Sequence, residues 1–148
     1  MALLNQDFRM EAYTQSKGPW VLTDVSLIME GPELEPEFVT SLLKIQPTGK
    51  RRPGPDRWRP DGDENGLWIL RCNEHLSRDL LEQMKWVLSR IEPRAAELRN
   101  LMTSGYETRL RVYGFVGSGS TFQLPVDLIS RIALLGVPLE VVTNTNER

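Results

Sequence analysis

Cysteine and histidine are almost missing from this chain: Cys72 and His75 are the sole examples in 148 residues. A single cysteine excludes an internal disulfide, so nothing requires an oxidising compartment, and the expected location is the cytoplasm. Cys72 and His75 together also fall short of the four ligands of a structural zinc site, so neither a metal nor a cofactor is expected. Long apolar runs are absent too. No stretch of about eighteen apolar residues occurs, and Met1 to Ser16 lacks a basic segment followed by an apolar one. The expectation is neither a membrane span nor a signal peptide. A surplus of positive charge is lacking as well: 18 Lys and Arg stand against 20 Asp and Glu, a net charge of -2. That balance argues against a protein whose main task is gripping phosphate backbones. Finally, the chain has no G-x-S-x-G, H-E-x-x-H or G-x-G-x-x-G sequence, which removes the commonest local signatures of hydrolases, zinc peptidases and dinucleotide binders.

What is present suits one packed domain, since 40% apolar content over this length supports one core and not two. Residues 1–18 show no clear period and are read as an N-terminal arm, with residues 19–148 as a single α+β domain. Trp20 to Glu30 alternates, with Val21, Thr23, Val25, Leu27 and Met29 opposite Asp24, Ser26, Ile28 and Glu30, as a half-buried strand does. Gly31-Pro32 ends it. Pro36 then suits the first turn of a helix carrying Phe38, Val39, Leu42, Leu43 and Ile45, which Pro47 stops. From Pro47 to Asn65, prolines, glycines and charges alternate so densely that no regular structure is expected. Leu67 to Cys72 reads as a strand with Trp68, Leu70 and Cys72 inward. Leu80, Met84, Val87, Ile91, Ala95, Leu98 and Met102 mark a long helix, broken near Pro93 and capped by Gly105.

Thr108 to Val116 alternates again and is read as the central strand. Thr121 to Leu124 is read as a short further strand, Pro125 to Leu135 as a helix capped by Gly136, and Val137 to Thr143 as a last strand with Leu139 and Val141 on one face. The fold expected is a two-layer α+β sandwich: a mixed or antiparallel sheet of four to five strands, with helices mainly on one face. Alternating strands favour this over a doubly wound fold, whose strands read as continuous apolar runs.

The motifs at the element boundaries carry a resemblance. Leu34-Glu35-Pro36, Ile45-Gln46-Pro47-Thr48 and Gly66-Leu67-Trp68 follow one another in the order L-x-P, I-x-P-T, G-x-W. Passages from Leu98 to Tyr106 and from Phe122 to Gly136 extend the likeness over about Trp20 to Val142. The chain thereby resembles a group of small bacterial single-domain proteins classed as a domain of unknown function. The resemblance implies an architecture and no reaction.

Several residue groups invite a functional reading. A thiol nucleophile with a histidine base would need Cys72 and His75 to face one another, which residues three apart at a strand end rarely do. Gly117-Ser118-Gly119-Ser120 lacks the lysine of a phosphate loop and reads as a turn. Asp61 to Gly66 lacks the closing glutamate of a calcium loop. Two groups suit binding better. Arg109, Arg111, Tyr113 and Phe115 form one strand face with the composition of interface hot spots, unless residues 1–18 cover it. In the loop, Lys50, Arg51 and Arg52 with Arg57, Trp58 and Arg59 could grip an acidic partner, and the run Lys50 to Asp63 shows no folding role of its own.

With no converging nucleophile, base or metal set, the expectation is a non-enzymatic protein-binding domain. Its sharpest form is an immunity-type protein that neutralises a toxin by occluding its active site. The alternative is a small-ligand binder or enzyme with an arginine-rich pocket of Arg57, Arg59 and Arg111. A weaker alternative is RNA stacking on the open sheet, against which stand the acidic balance and Asp24, Glu30 and Glu107 nearby. A homodimer is compatible with these residues.

Overall fold

The computed structural model describes residues 20–55, 65–117 and 119–145. Its centre is β1 (Val21–Pro32), a long strand with antiparallel partners on both sides. One partner is β3 (Asn65–Cys72), flanked in turn by the short edge strand β2 (Gly49–Arg51). The other is β4 (Glu107–Val116), which pairs in parallel with the edge strand β5 (Leu139–Thr145). The result is a mixed five-stranded sheet in the order β2-β3-β1-β4-β5, an α+β fold as the alternation of its strands implies. β1 is central rather than β4, because only β1 has hydrogen-bonded neighbours that each lie next to an edge strand.

The helices are α1 (Pro36–Leu43), α2 (Leu80–Ile91), α3 (Ala95–Thr103) and α4 (Val126–Leu135). All four feed one core cluster, in which Val39 and Leu43, Met84 and Leu88, Leu98 and Leu101, and Leu128 and Ile132 meet Val25, Leu27, Met29, Trp68, Leu70, Leu110 and Val112. These strand residues share one face of the sheet by register. The opposite face is therefore open, with no helix packed on it among the described residues.

Local chemistry places the helix ends. Pro36 opens α1 after an extended Glu35, and Asp79 caps α2 by accepting from the Leu81 amide at 2.9 Å. Pro93 breaks the α2–α3 run into a 3₁₀ turn at Glu92–Arg94. That break is held: Arg131 of α4 donates to both Glu92 carboxylate oxygens at 2.8 and 2.9 Å, and Arg94 donates to the Leu42 carbonyl at 3.1 Å. Gly136 closes α4 with φ 78°.

Three local expectations change. The segment after Pro47 does contain regular structure, since Gly49–Arg51 forms β2. Thr48 prepares it: its amide and hydroxyl both donate to the Ile69 carbonyl, at 2.8 and 3.2 Å, and its hydroxyl accepts from the Arg71 amide at 2.9 Å. Thr121 to Leu124 is not a strand; Phe122 instead packs edge-on against Trp20, 4.8 Å between ring centroids. Val141 does share its face with Leu139, opposite Val112, and lies 46% exposed on the edge strand. Val21 is 46% exposed because β1 bulges at Leu22, whose φ is 51°. Across the bulge Val21 pairs with Phe115 and Asp24 with Tyr113, three residues against two, so the alternation flips and Val21 joins the open face. The arm at residues 1–18 lies outside the described residues, as does most of the loop before Asn65. No described helix is long and apolar enough to cross a membrane.

Candidate functional site

The open face is where unabsorbed chemistry collects. Register places Ser26 of β1 between Arg71 of β3 and Arg111 of β4, and Ile28 between Ile69 and Arg109. Tyr113 lies beside Asp24 and Val142, and Phe115 beside Asn144. Four arginines, Arg51, Arg71, Arg109 and Arg111, thus share the face with four carboxylates, Asp24, Glu30, Glu107 and Glu140.

Part of this charge is internally paired. Arg109 bridges β1 and β5, donating to Glu30 at 3.1 Å and Glu140 at 3.0 Å. Arg111 donates through Nε to the same Glu140 oxygen at 2.7 Å. The Arg111 hydrogen bond, with Arg109 beside it, holds the Glu140 carboxyl below its ordinary range. Tyr113 and Phe115 pack edge to face at 5.9 Å, and the Tyr113 hydroxyl accepts from Asn144 Nδ2 at 2.8 Å.

Asp24 is different. It makes no hydrogen bond or ion pair among the described residues, and it lies at the meeting of two recesses. One, about 260 Å³, also has Ser26, Arg71, Arg111 and Tyr113 in its wall; the other, about 170 Å³, has Leu22, Thr23, Asn73, Glu74 and His75. Burial pushes the Asp24 carboxyl above its ordinary range, against the opposing pull of Arg71 and Arg111. Two independent marks of a functional position therefore coincide here, a perturbed carboxyl in a cleft and a bulge carrying a non-glycine residue at positive φ.

The sign of this shift yields a testable result. A carboxyl raised on folding binds its proton more tightly in the folded chain, so ionised Asp24 costs stability above its folded pKa and costs nothing below the unfolded value. Asp24→Asn is expected to raise the Tm at pH 7 by about 1 °C, kept small because the group stays partly solvated. The gain should vanish as pH falls through the carboxylate range. Thermal melts of both proteins from pH 3.5 to 7.5 check it, and equal melting points at pH 7 would show that Asp24 carries no such strain.

The other sequence candidates separate. Lys50 and Arg52 lie on the helix side and pair with Glu37 of α1 at 3.1 and 3.3 Å, while Arg51 donates to the Asn65 carbonyl at 3.3 Å. The start of the basic run thus does have a folding role, in tying β2 to α1 and β3. Arg57, Trp58 and Arg59 lie outside the described residues. Of the pocket assembled from Arg57, Arg59 and Arg111, only Arg111 is described, and its neighbour across Ser26 is Arg71. Cys72 is buried on the core face, where burial pushes its thiol up against the pull of Arg90, and it borders a different recess from His75. No thiol–imidazole pair forms. That second recess, about 600 Å³ along α2, has its charges spoken for: Lys85 pairs with Glu82 at 3.4 Å, and Arg90 stacks on Trp86 at 4.2 Å. No group of three or more His, Cys, Asp or Glu that could hold a metal occurs among the described residues.

Arg71, Asp24 and Glu140 were not singled out from the sequence as site residues. Arg71 follows Leu70 on the outward side of β3, so alternation alone would have placed it beside Ser26 had the β1–β3 pairing been known. Glu140 could not be placed without the parallel register of β5.

The architecture and its open face define a two-layer α+β domain with an uncovered sheet. Residues 21–146 match the family model described as "Domain of unknown function (DUF4279)", and the chain belongs to that family. No curated protein and no solved structure matches the chain.

Proposed function

We propose that this chain is a non-enzymatic binding domain that takes a protein partner on the open face of its sheet, in the manner of an immunity-type protein occluding a toxin. The observation that carries this reading is the row Arg109, Arg111, Tyr113 and Phe115, which lies on the sheet face that no described helix covers. Arginine and tyrosine are the side chains on which interface energy concentrates, and here they are held in place before any partner arrives. Arg109 is fixed by two carboxylates and Tyr113 by Phe115 and Asn144. Little side-chain freedom remains to be lost on binding.

RNA stacking is disfavoured on the same face. Glu30 and Glu140 neutralise Arg109 and Arg111 internally, and a nucleic acid would meet a face whose arginines and carboxylates balance.

Affinity capture from the source cell, followed by mass spectrometry, tests the reading. One stoichiometric protein partner is expected, lost on Tyr113→Ala with Phe115→Ala and retained on Phe38→Ala, an exposed position on α1. A partner that survives the double substitution, or none at all, would sink the open-face interface. If the partner is a toxin, its activity should fall in proportion to added protein.

A further inference from the structure

We propose that the recess between Arg71 and Arg111 binds a small carboxylate that carries a second hydrogen-bond donor, of the hydroxy-acid or amino-acid class. This goes beyond the protein-binding reading and stands whether or not the face also takes a partner.

Donors outnumber acceptors in this recess. Arg71 spends its Nε on Ser26 Oγ at 3.3 Å, and Arg111 spends its Nε on Glu140 at 2.7 Å. These bonds fix each guanidinium plane, while the terminal amino groups of both make no hydrogen bond or ion pair among the described residues. Ser26 and Tyr113 each accept one bond, from Arg71 and Asn144, which leaves each hydroxyl proton to be given. Two guanidinium forks and two hydroxyls therefore converge on one space as donors. A planar carboxylate is the acceptor that such forks fit.

Asp24 sets the second requirement. Among the described residues of this recess it is the one carboxylate, and it is without a partner, so a bare anion would meet it with repulsion. A ligand with an O–H or N–H close to its carboxylate satisfies both ends, giving its anion to the arginines and its donor to Asp24. The volume of about 260 Å³ is just below the usual range of small-molecule sites, roughly 300–1,000 Å³, which suits a metabolite and not a peptide. Ile28 and Val142 supply the apolar part of the wall.

The test uses the full chain labelled with ¹⁵N and titrated with L-malate, with succinate as the same diacid lacking the hydroxyl, and with inorganic phosphate, all at constant ionic strength. Malate is expected to shift the amides of Asp24, Ser26, Arg71, Arg111 and Tyr113 saturably, and more tightly than succinate. Arg71→Gln and Arg111→Gln should each weaken malate about tenfold or more, the loss of one charge-assisted pair. Asp24→Asn should bring malate and succinate to similar affinity, chiefly by tightening succinate, which then no longer meets an unpaired carboxylate. Lys85→Gln, on α2, serves as the control that changes charge without touching the recess, and melting points verify that each variant folds. No saturable shift up to about 10 mM of any probe, shifts that persist in both arginine variants, or phosphate binding tighter than malate would each overturn the assignment.

Discussion

Gly66→Ala is expected to abolish stable folding, with a loss of more than about 3 kcal/mol. A Cβ built on Gly66 would overlap the carbonyl oxygen of Leu34, and the obstacle is main chain, which cannot swing aside as a side-chain tip can. Leu34 itself is fully buried at the entry to α1, and its amide donates to the Gly31 carbonyl at 3.2 Å. Relief would therefore have to move either that turn or the β1–β3 ladder, where Gly66 pairs with Gly31. Gly49→Ala is the matched control, since a Cβ there meets only Ile69 side-chain atoms at an ordinary 3.9 Å. It should change stability by no more than about 0.5 kcal/mol. Circular dichroism melts of the two variants check both; similar melting points would mean that the Leu34 turn yields.

Trp68→Ala is expected to cost about 3–5 kcal/mol, a fall in Tm of about 10–15 °C. Trp68 is fully buried between the sheet and α1, and its Nε1 donates to Thr40 Oγ1 at 3.1 Å. The substitution removes the largest buried side chain of the core and leaves the Thr40 hydroxyl without that donor. Thr40→Val separates the two contributions, because it keeps the ring in place and orphans its N–H, at a cost of about 1–3 kcal/mol. Chemical denaturation of the three proteins measures the difference. Equal losses in Trp68→Ala and Thr40→Val would assign the effect to the hydrogen bond and not to the ring.

These two positions explain why the boundary motifs could be read for architecture and not for activity. Gly66-Leu67-Trp68, Leu34-Glu35-Pro36 and Pro47-Thr48 all converge on the seam between α1 and β3, where they satisfy a close backbone approach, a core volume and a ladder end. Their identity is dictated by packing. The strands were legible for the same reason: Leu110 and Val112 alternate with Arg109 and Arg111 because one face is dry and the other is not. The break at Pro93 and the cap at Gly136 are backbone chemistry, visible without any tertiary knowledge.

The rest depended on pairings that no local pattern encodes. β2 is three residues within a run of charge and proline, and only Thr48 reaching over to Ile69 and Arg71 makes it a strand. The bulge at Leu22 inverted the inferred side of Val21, since one extra residue shifts a period of two by half a cycle. The recess at Asp24 joins residues of β1, β3, β4 and β5, whose neighbourhood exists only once the strand order is known.

That strand order also bears on how the chain comes to be folded. The first of the described strands is the one at the centre of the sheet: Leu27 pairs with Leu70 and with Leu110, 43 and 83 residues later. On the ribosome β1 emerges with both edges bare, and its second edge is not covered until β4 has left the exit tunnel. Pairing of the second edge thus waits for residues some 83 positions downstream, and contacts of such long sequence separation make folding slow for a domain of this size. During that interval the Val25 to Met29 stretch is an unprotected apolar edge, the segment most in need of a chaperone's cover.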